Sequence, residues 1–250
     1  MAAAPAPLPG CLPPPGPHTA SRPPGGGTHP APTTTALLLL LVIAPFLLAA
    51  AGGEGGGEEA IACTPASPCL HLVMHSHTDP GWLRTYGEYY EDSVRAILEG
   101  VVGELAKDPT RTYAASEVCF LARWLRDVGD QPARVKGESG TWREVVRRLA
   151  ASGQLDVVGG GWVSHDEALV SPDAALDQME LGLNYLWDEL GVRPRIAWQI
   201  DPFGHSGSTP AVMRALGYDV IVANRMHHAT KARLRSRREL EFFWEPPGGG

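Results

Sequence analysis

From Leu70 onward, short apolar runs alternate with longer segments in which apolar side chains recur at a helical period. The short runs predict strands and the longer segments predict amphipathic helices, because one face repeats every second residue in a strand and about every 3.6 residues in a helix. Strands are predicted for the segments "LHLVMH", "TYAASEVCF", "LDVVGGGW", "RIAWQI" and "YDVIVAN". Helices are predicted for residues 84–105, 142–151, 172–190 and 209–216, the third with Ser171 as its N-cap and Gly191 as its stop. This alternation indicates an α/β fold in which helices cover a parallel sheet or barrel.

The residues before this region do not resemble part of a folded core. Residues 1–35 consist mainly of Pro, Gly, Ala and Thr, which predicts a disordered leader. Residues 36–51 form an apolar run that is shorter than the ~20 residues of a comfortable membrane span and ends in small residues. We expect a cleaved signal peptide; an uncleaved signal anchor is the alternative, and a buried helix of a cytosolic domain is a third interpretation. Residues 52–69 are expected to be a linker, and residues 70–250 to form the α/β domain.

The charges on either side of the apolar run predict the compartment. Arg22 precedes the run, whereas Glu54, Glu58 and Glu59 follow it. This asymmetry places the rest of the chain in the lumen of the secretory pathway or outside the cell. Contact with a membrane is expected only through the possible signal anchor.

The cysteines and the net charge indicate which bonds and partners to expect. Cys63 and Cys69 bracket the turn-forming segment "TPASP" and are predicted to form a disulfide, whereas Cys119 lies in an apolar run and is predicted to be a buried thiol. The formal net charge of -7 argues against general binding of nucleic acid. The basic run from Lys231 to Arg238 is followed by Glu239 and Glu241, and its charges fall on most faces of a helix, which predicts a solvated helix surface rather than a polyanion site.

Polar turns follow four of the predicted strands. His77 and Asp79 follow "LHLVM", "GGWVSHDEA" follows "LDVV", "DPFGHS" follows "IAWQ", and Arg225 follows "VIVAN". Ligands bind at the carboxyl ends of parallel strands, because turns and helix N-termini converge there. We therefore expect the four turns to form the walls of one site.

The first turn has the spacing of a metal-ligand pair. His77 and Asp79 point the same way in an extended backbone, so they can present an imidazole and a carboxylate to one ion. The alternative is that they are ordinary surface residues, since most pairs with this spacing are. Gly81 and Trp82 add a tight turn and a flat apolar face of the kind on which sugar rings stack. The side chain of His75 lies on the same side of the extended backbone as those of His77 and Asp79, and it is expected to orient a ligand or the turn.

The "DPFGHS" turn supplies a second carboxylate. Asp201 follows a predicted buried strand and precedes Pro202, which fixes its side chain at the sheet edge. The alternative is an N-cap for the helix that follows. His205 is a further candidate ligand, and a turn or helix start is an equal interpretation of its position.

Four segments together resemble a known family: "HSHTDPGW", "GGWVSHDEA", "AWQIDPFGHS" and "ANRMHHATKARLRSRRELEFFW". Their order and spacing are similar to those of the amino-terminal catalytic region of the class II α-mannosidases, glycoside hydrolase family 38, over residues 70–244. The resemblance implies the family's seven-stranded α/β domain, incomplete in this chain. It also implies a zinc-dependent retaining α-mannosidase that hydrolyses α-mannosides of N-glycans or their breakdown products in a lysosome or vacuole, in the Golgi, or after secretion. The oligomeric state stays open.

The resemblance also implies roles for particular residues. His77, Asp79 and Asp201 match the ligands of a Zn²⁺ ion, and Asp201 also matches the catalytic nucleophile. Three residues match contacts to the sugar: Trp82, Phe203 and Arg225.

Two functional elements of the family have no match here. The family's fourth zinc ligand is a histidine in a later block, and the pair His227 and His228 lies too close to Arg225 to be that block. Its general acid is an aspartate beyond the nucleophile. We therefore expect the 250-residue chain to be a fragment or truncated product that is inactive by itself. A carbohydrate-binding protein without turnover and a metal-dependent polysaccharide deacetylase are the alternative functions.

Overall fold

The computed structural model describes residues 37–40 and 69–245, and of residues 37–40 only the backbone. The predicted leader at residues 1–35 and the predicted linker up to residue 68 lie outside the described residues, as does most of the predicted signal segment. These assignments stay predictions. Within the described part of the chain, no helix is both long and apolar enough to cross a membrane.

Within the described residues the strands form two sheets, and together with the helices they confirm the α/β class. The strands are β1 (Leu37–Leu40), β2 (Tyr113–Ala115), β3 (Leu155–Val157), β4 (Ile196–Gln199), β5 (Val220–Ala223) and β6 (Glu241–Trp244). The larger sheet has the order β4–β5–β1–β6, in which β4, β5 and β1 run parallel and β6 runs antiparallel to β1. β2 and β3 form a separate parallel pair. The predicted parallel arrangement is therefore present, with one antiparallel strand at an edge.

Helices connect the strands and carry most of the buried apolar side chains. The helices are α1 (Tyr86–Tyr89), α2 (Arg95–Lys107), α3 (Val118–Val128), α4 (Trp142–Ala151), α5 (Pro172–Leu190), α6 (Thr209–Ala215) and α7 (His228–Arg237). A π-helical segment, Tyr90–Val94, joins α1 to α2, so the helix predicted from residue 84 is present with one widened turn. Most side chains of α7 are exposed, which confirms the predicted solvated surface.

Helix α5 begins and ends where the sequence predicts. The Ser171 side chain accepts a hydrogen bond from the backbone N–H of Ala174, and Pro172 occupies the first turn, where its missing N–H has no partner to lose. Gly191 ends the helix in the left-handed conformation, with φ of 68°. Capping boxes begin two other helices: Thr85 with Glu88 at α1, and Thr141 with Glu144 at α4.

The predicted strand "TYAASEVCF" is wrong in its second half. Only Tyr113–Ala115 is a strand, and the chain turns at Glu117, whose backbone is left-handed with φ of 51°, before α3 begins at Val118. Most side chains of α3 are buried. A short continuous apolar run looks the same whether it is a buried strand or a buried helix, so periodicity could not separate the two.

The predicted strand "LHLVMH" is also wrong. Residues 70–74 are without regular structure, His75 makes one isolated β-bridge with Ala114, and Leu70 and Leu72 are 83% and 75% exposed. The strand position beside β5 is occupied by β1, whose backbone pairs with Val220–Val222, whereas His75 bridges to β2. An apolar run of high β-propensity becomes a strand only where a partner strand pairs with it, and local pattern does not show that.

Among the described residues, two clusters of buried side chains pack against the strands. The larger lies among α2, α3, α4, α5 and the β2–β3 pair, and its fully buried members include Tyr90, Trp124 and Leu186. The smaller includes Met213 of α6 and Ile221 of β5. Burying each large apolar side chain contributes about 1.5–3 kcal/mol to folding. These clusters therefore stabilise the strands whose ends carry the polar turns.

Candidate metal centre

Asp201 and Arg225 follow the carboxyl ends of neighbouring parallel strands. Gln199 of β4 pairs with Ala223 of β5, and each of the two functional residues lies two positions further along the chain. Arg225 Nη2 is 2.6 Å from Oδ1 of Asp201, and the Arg225 guanidinium is 5.1 Å from the centroid of the Phe203 ring. The two turns meet as predicted, and the ion pair fixes the direction of the Asp201 carboxylate.

His77 and Asp79 reach Asp201 from the other strand pair. The bridge between His75 and Ala114 of β2 fixes the backbone two residues before His77. His77 Nε2 lies 3.2 Å from Oδ1 of Asp79 and 3.6 Å from Oδ2 of Asp201. One ligand atom from each of the three residues lies within 4.8 Å of the other two. The three predicted metal ligands are therefore close enough to bind one ion.

The chemistry of this group fits a divalent cation. His77 Nε2 is buried and makes no hydrogen bond within the described residues, although it faces two carboxylates. Ionised carboxylates only accept hydrogen bonds, so a cation placed among the three ligand atoms would satisfy them together. One imidazole nitrogen and two carboxylate oxygens form a donor set that first-row divalent metals accept.

Glu117 contacts the other ring nitrogen of His77, with 3.2 Å between its Oε1 and Nδ1. The pKa of His77 is raised above its ordinary value, chiefly by this carboxylate; burial opposes the shift, and the charges of Asp79 and Asp201 add to it. The sequence did not predict a role for Glu117. The one available signal was a charged residue inside the apolar run "AASEVCF".

A buried carboxylate holds the "DPFGHS" turn in place. Glu167, whose side chain is 1% exposed, accepts hydrogen bonds from Nε2 of Gln199 (3.1 Å), from the backbone N–H of Ser206 (2.8 Å) and from the hydroxyl of Thr209. Its Oε1 also lies 2.9 Å from Nδ1 of His205. Glu167 belongs to "GGWVSHDEA", so this turn joins the same site as predicted, through a residue that the sequence did not single out.

His205 contacts Glu167 and is not part of the metal group. Its Nε2 lies 3.1 Å from the backbone carbonyl oxygen of Arg225, so both ring nitrogens face acceptors and the imidazolium form fits the site. The pKa of His205 is accordingly raised, chiefly by the hydrogen bond with Glu167. Burial by itself would raise the pKa of Glu167, but hydrogen bonds from His205, Thr209 and Ser206 lower it. Of the two interpretations of His205, the structure favours the turn.

The two aromatic residues of the predicted site are exposed to solvent, but they do not line the same groove. Phe203 and Trp82 are both 74% exposed, Trp82 on the turn that follows Asp79. Within the described residues, Trp82 does not line the open groove beside Arg225. That groove is lined by Phe203, Gly204, Asn224, Arg225, Met226, His227 and Lys231.

Other histidines and cysteines lie outside the metal group. The ring of His75 packs edge-on against Trp198, with 5.5 Å between centroids, and the rings of His227 and His228 are tilted by 39° with 4.4 Å between centroids. Cys119 is a free buried thiol, as predicted, and burial raises its pKa to about 12. Cys69 is disulfide-bonded, while its predicted partner at position 63 lies outside the described residues.

The family model and the curated relatives indicate one family. Residues 68–250 match the family described as "Glycosyl hydrolases family 38 N-terminal domain". "Alpha-mannosidase 2" of Rattus norvegicus is 38% identical over 173 residues, which are 69% of this chain and 14% of that protein. "Lysosomal alpha-mannosidase" of Cavia porcellus is 38% identical over 185 residues, which are 70% of this chain and 17% of that protein. The solved structure of an alpha-mannosidase from Enterococcus faecalis V583 has a TM-score of 0.49 and 21% identity, covering 61% of this chain and 16% of that one.

The family match extends over nearly three quarters of the chain and includes His77, Asp79, Asp201 and Arg225. The chain spans 14% to 17% of the length of the two curated relatives named above. On the strength of the family match, this chain belongs to glycosyl hydrolase family 38.

Proposed function

We propose that this chain carries the zinc-binding and nucleophile-bearing part of a retaining α-mannosidase that acts on α-mannosides of N-glycans or their breakdown products. The observation that carries the proposal is the convergence of one imidazole and two carboxylates, His77, Asp79 and Asp201, with the guanidinium of Arg225 beside them. The described residues would belong to a seven-stranded α/β domain, with residues 70–250 as its amino-terminal part. The alternatives, a lectin-like protein and a polysaccharide deacetylase, are outcomes of the test below.

The three ligand residues would hold a zinc ion through Nε2 of His77 and a carboxylate oxygen each of Asp79 and Asp201. Zinc bound there would supply a Lewis acid that binds adjacent hydroxyls of a mannose ring and favours its distortion toward the transition state. Three protein ligands leave coordination positions open for those hydroxyls.

Asp201 would act as the nucleophile. One of its oxygens would attack the anomeric carbon on the face opposite the leaving oxygen, and the glycosidic bond would break as the mannosyl ester forms. Arg225 would orient the carboxylate during this attack through its 2.6 Å contact with Oδ1. Attack by water on the ester would then release mannose with retained configuration. The proton for the leaving group would come from a general acid that we do not assign to a residue of this chain.

Three side chains would bind the mannose-containing substrate. Trp82 would stack beneath the sugar ring, because its indole is exposed on the turn that carries Asp79. Phe203 would contact the ring from the opposite turn, and Arg225 would contact a sugar hydroxyl. The lumen of the secretory pathway is the proposed location, supported by the disulfide at Cys69, since disulfides persist in oxidising compartments.

A mannoside whose leaving group needs no protonation tests the proposal on the chain as it stands. The full 250-residue chain, loaded with zinc, would be incubated with 2,4-dinitrophenyl α-mannoside. The chain by itself is expected not to hydrolyse natural α-mannosides, but this substrate bypasses the general acid; we therefore expect release of dinitrophenolate and one mannosyl unit on the peptide that contains Asp201, detected by mass spectrometry. The Asp201→Asn variant should show neither. Mannose binding without label would favour the lectin, acetate release from an N-acetylated glycan would favour the deacetylase, and a label on another residue would refute the assignment.

A further inference from the structure

The carboxylate of Glu117 lies on the side of the His77 ring that faces away from the two aspartates. Glu117 Oε1 is 3.2 Å from Nδ1 of His77, whereas Nε2 of the same ring faces Asp79 and Asp201. The Glu117 side chain is 4% exposed. A buried charge of this kind is retained only where another group compensates for the loss of water.

The helix that Glu117 begins does not use this carboxylate. Glu117 is the N-cap residue of α3, yet its side chain makes no capping hydrogen bond, and its backbone is held in the left-handed region with φ of 51° and ψ of 75°. A residue other than Gly is strained in the left-handed region, and such strain persists only where the surrounding structure holds the backbone in that conformation. The backbone conformation turns the carboxylate away from the helix and toward His77.

Two hydrogen bonds fix the partners on either side of this contact. The Ser116 hydroxyl donates to Oε2 of Glu117 at 2.8 Å, which leaves Oε1 for His77. The Tyr113 hydroxyl donates to the hydroxyl oxygen of Ser76 at 2.6 Å, which ties the residue before His77 to β2. The separation of Oε1 and Nδ1 is therefore set by the fold.

Both atoms of the contact are buried, and within the described residues neither has a hydrogen bond of good geometry. A proton on Nδ1, donated to Oε1, would satisfy both atoms with a small rotation of the ring. The same tautomer leaves the lone pair on Nε2, which points toward the two aspartates.

We propose that Glu117 is a positioning residue that holds His77 as the Nδ1–H tautomer, so that its Nε2 lone pair is directed at the metal ion between Asp79 and Asp201. The inference rests on the proposed zinc site. The negative charge of Glu117 also makes the imidazole a stronger ligand. The alternative is a purely structural role at the start of α3.

Zinc titration of the full 250-residue chain by calorimetry separates the two roles. We expect Glu117→Ala to raise the zinc dissociation constant by about 10- to 100-fold. Glu117→Gln should raise it less, because its amide oxygen still accepts a hydrogen bond from Nδ1. The matched control is Glu144→Gln at the start of α4, whose glutamate serves only a capping box; it should leave zinc affinity unchanged. Equal affinity of the wild-type chain and Glu117→Ala overturns the inference.

The ring nitrogen resonances of His77 in the zinc-free chain give a second measurement that does not depend on metal binding. At about pH 9, where histidine is normally neutral, we expect Nδ1 to carry the proton in the wild-type chain and a mixture of tautomers in Glu117→Ala. The signals are assigned by their loss in His77→Gln. The Nε2–H tautomer in the wild-type chain, or one tautomer common to both proteins, overturns the inference. If the wild-type chain binds no zinc, the proposed function fails, and the tautomer still decides the role of Glu117.

Discussion

Arg225 Nη2 lies 2.6 Å from Oδ1 of Asp201, and each residue follows by two positions a pair that is in register on the parallel strands β4 and β5. The ion pair is thus a consequence of strand register. On the far side of the carboxylate, Oδ2 of Asp201 lies 3.6 Å from Nε2 of His77. One carboxylate therefore faces a fixed cation on one side and a candidate metal ligand on the other.

Replacing Arg225 with Ala should slow formation of the mannosyl ester by about 10- to 100-fold, because hydrogen bonds to charged groups contribute about 1.5–3 kcal/mol. Arg225→Lys should recover part of the rate, since lysine offers a charge without the planar fork of the guanidinium. The rate of labelling of the Asp201 peptide measures both effects. Arg233→Ala, an exposed arginine of α7, is the control. An unchanged rate in Arg225→Ala would show that Arg225 has no orienting role.

His77→Ala and Asp79→Ala should each weaken zinc binding by about 100-fold or more, because a site that loses one of three ligands holds the ion poorly. The affinity of the wild-type chain is itself expected to be weak, since three protein ligands are assigned to the ion. His228→Ala is the matched control: it removes an exposed imidazole of α7 that lies outside the metal group. Calorimetric titration compares the variants, and equal losses for His228 and His77 would contradict the ligand assignment.

The pair of His205 and Glu167 should make stability depend on pH. The folded-state pKa of His205 is raised, so its contribution is fully present below its ordinary pKa of about 6.5 and is lost as pH rises through the raised value. The free energy of unfolding of the wild-type chain should therefore exceed that of His205→Gln most at mildly acidic pH. Urea denaturation at a series of pH values gives this difference.

His165 supplies a control of opposite sign for that measurement. Burial lowers the pKa of His165, so the folded state favours its neutral form and its contribution to stability rises with pH. The stability difference between the wild-type chain and His165→Gln should grow with increasing pH. A difference for His205→Gln that also grows with pH would refute its pairing with Glu167.

Cys63 is predicted to be the disulfide partner of Cys69. The bond would close a small loop around "TPASP" before the α/β region begins. Peptide mapping of secreted protein without reduction should find one linked peptide that contains both residues. Linkage of Cys69 to any other cysteine, or free thiols at both positions, would contradict the prediction.

The amino terminus of secreted protein is predicted to lie near Gly52. Cleavage there would remove β1 and expose the backbone edge of β5 with which it pairs, so amide exchange at Val220–Ala223 should be faster in the cleaved chain than in the uncleaved one. Mass spectrometry of the intact protein locates the terminus. Met1 on membrane-bound protein would support a signal anchor, and Met1 on soluble cytosolic protein would exclude both interpretations.

The sequence by itself determined the local features that depend on neighbouring residues. Ser171, Pro172 and Gly191 set the ends of α5, because a cap needs only a side chain or a backbone conformation at one position. The placement of polar turns after apolar strands also identified Asp201 and Arg225 as neighbours, since parallel strands end at the same edge of a sheet.

Only the tertiary structure decided which apolar runs form strands and which carboxylates support the site. Residues 37–40 pair with Val220–Val222 far along the chain, whereas residues 70–74 form no strand, and local pattern does not separate the two cases. Glu117 and Glu167 contact His77 and His205 from 40 and 38 positions away in the chain. Charged side chains gain little from one another in an unfolded, solvated chain. Their roles arise only after folding buries them side by side, where an unpaired carboxylate is costly and a partner at hydrogen-bonding distance compensates for it.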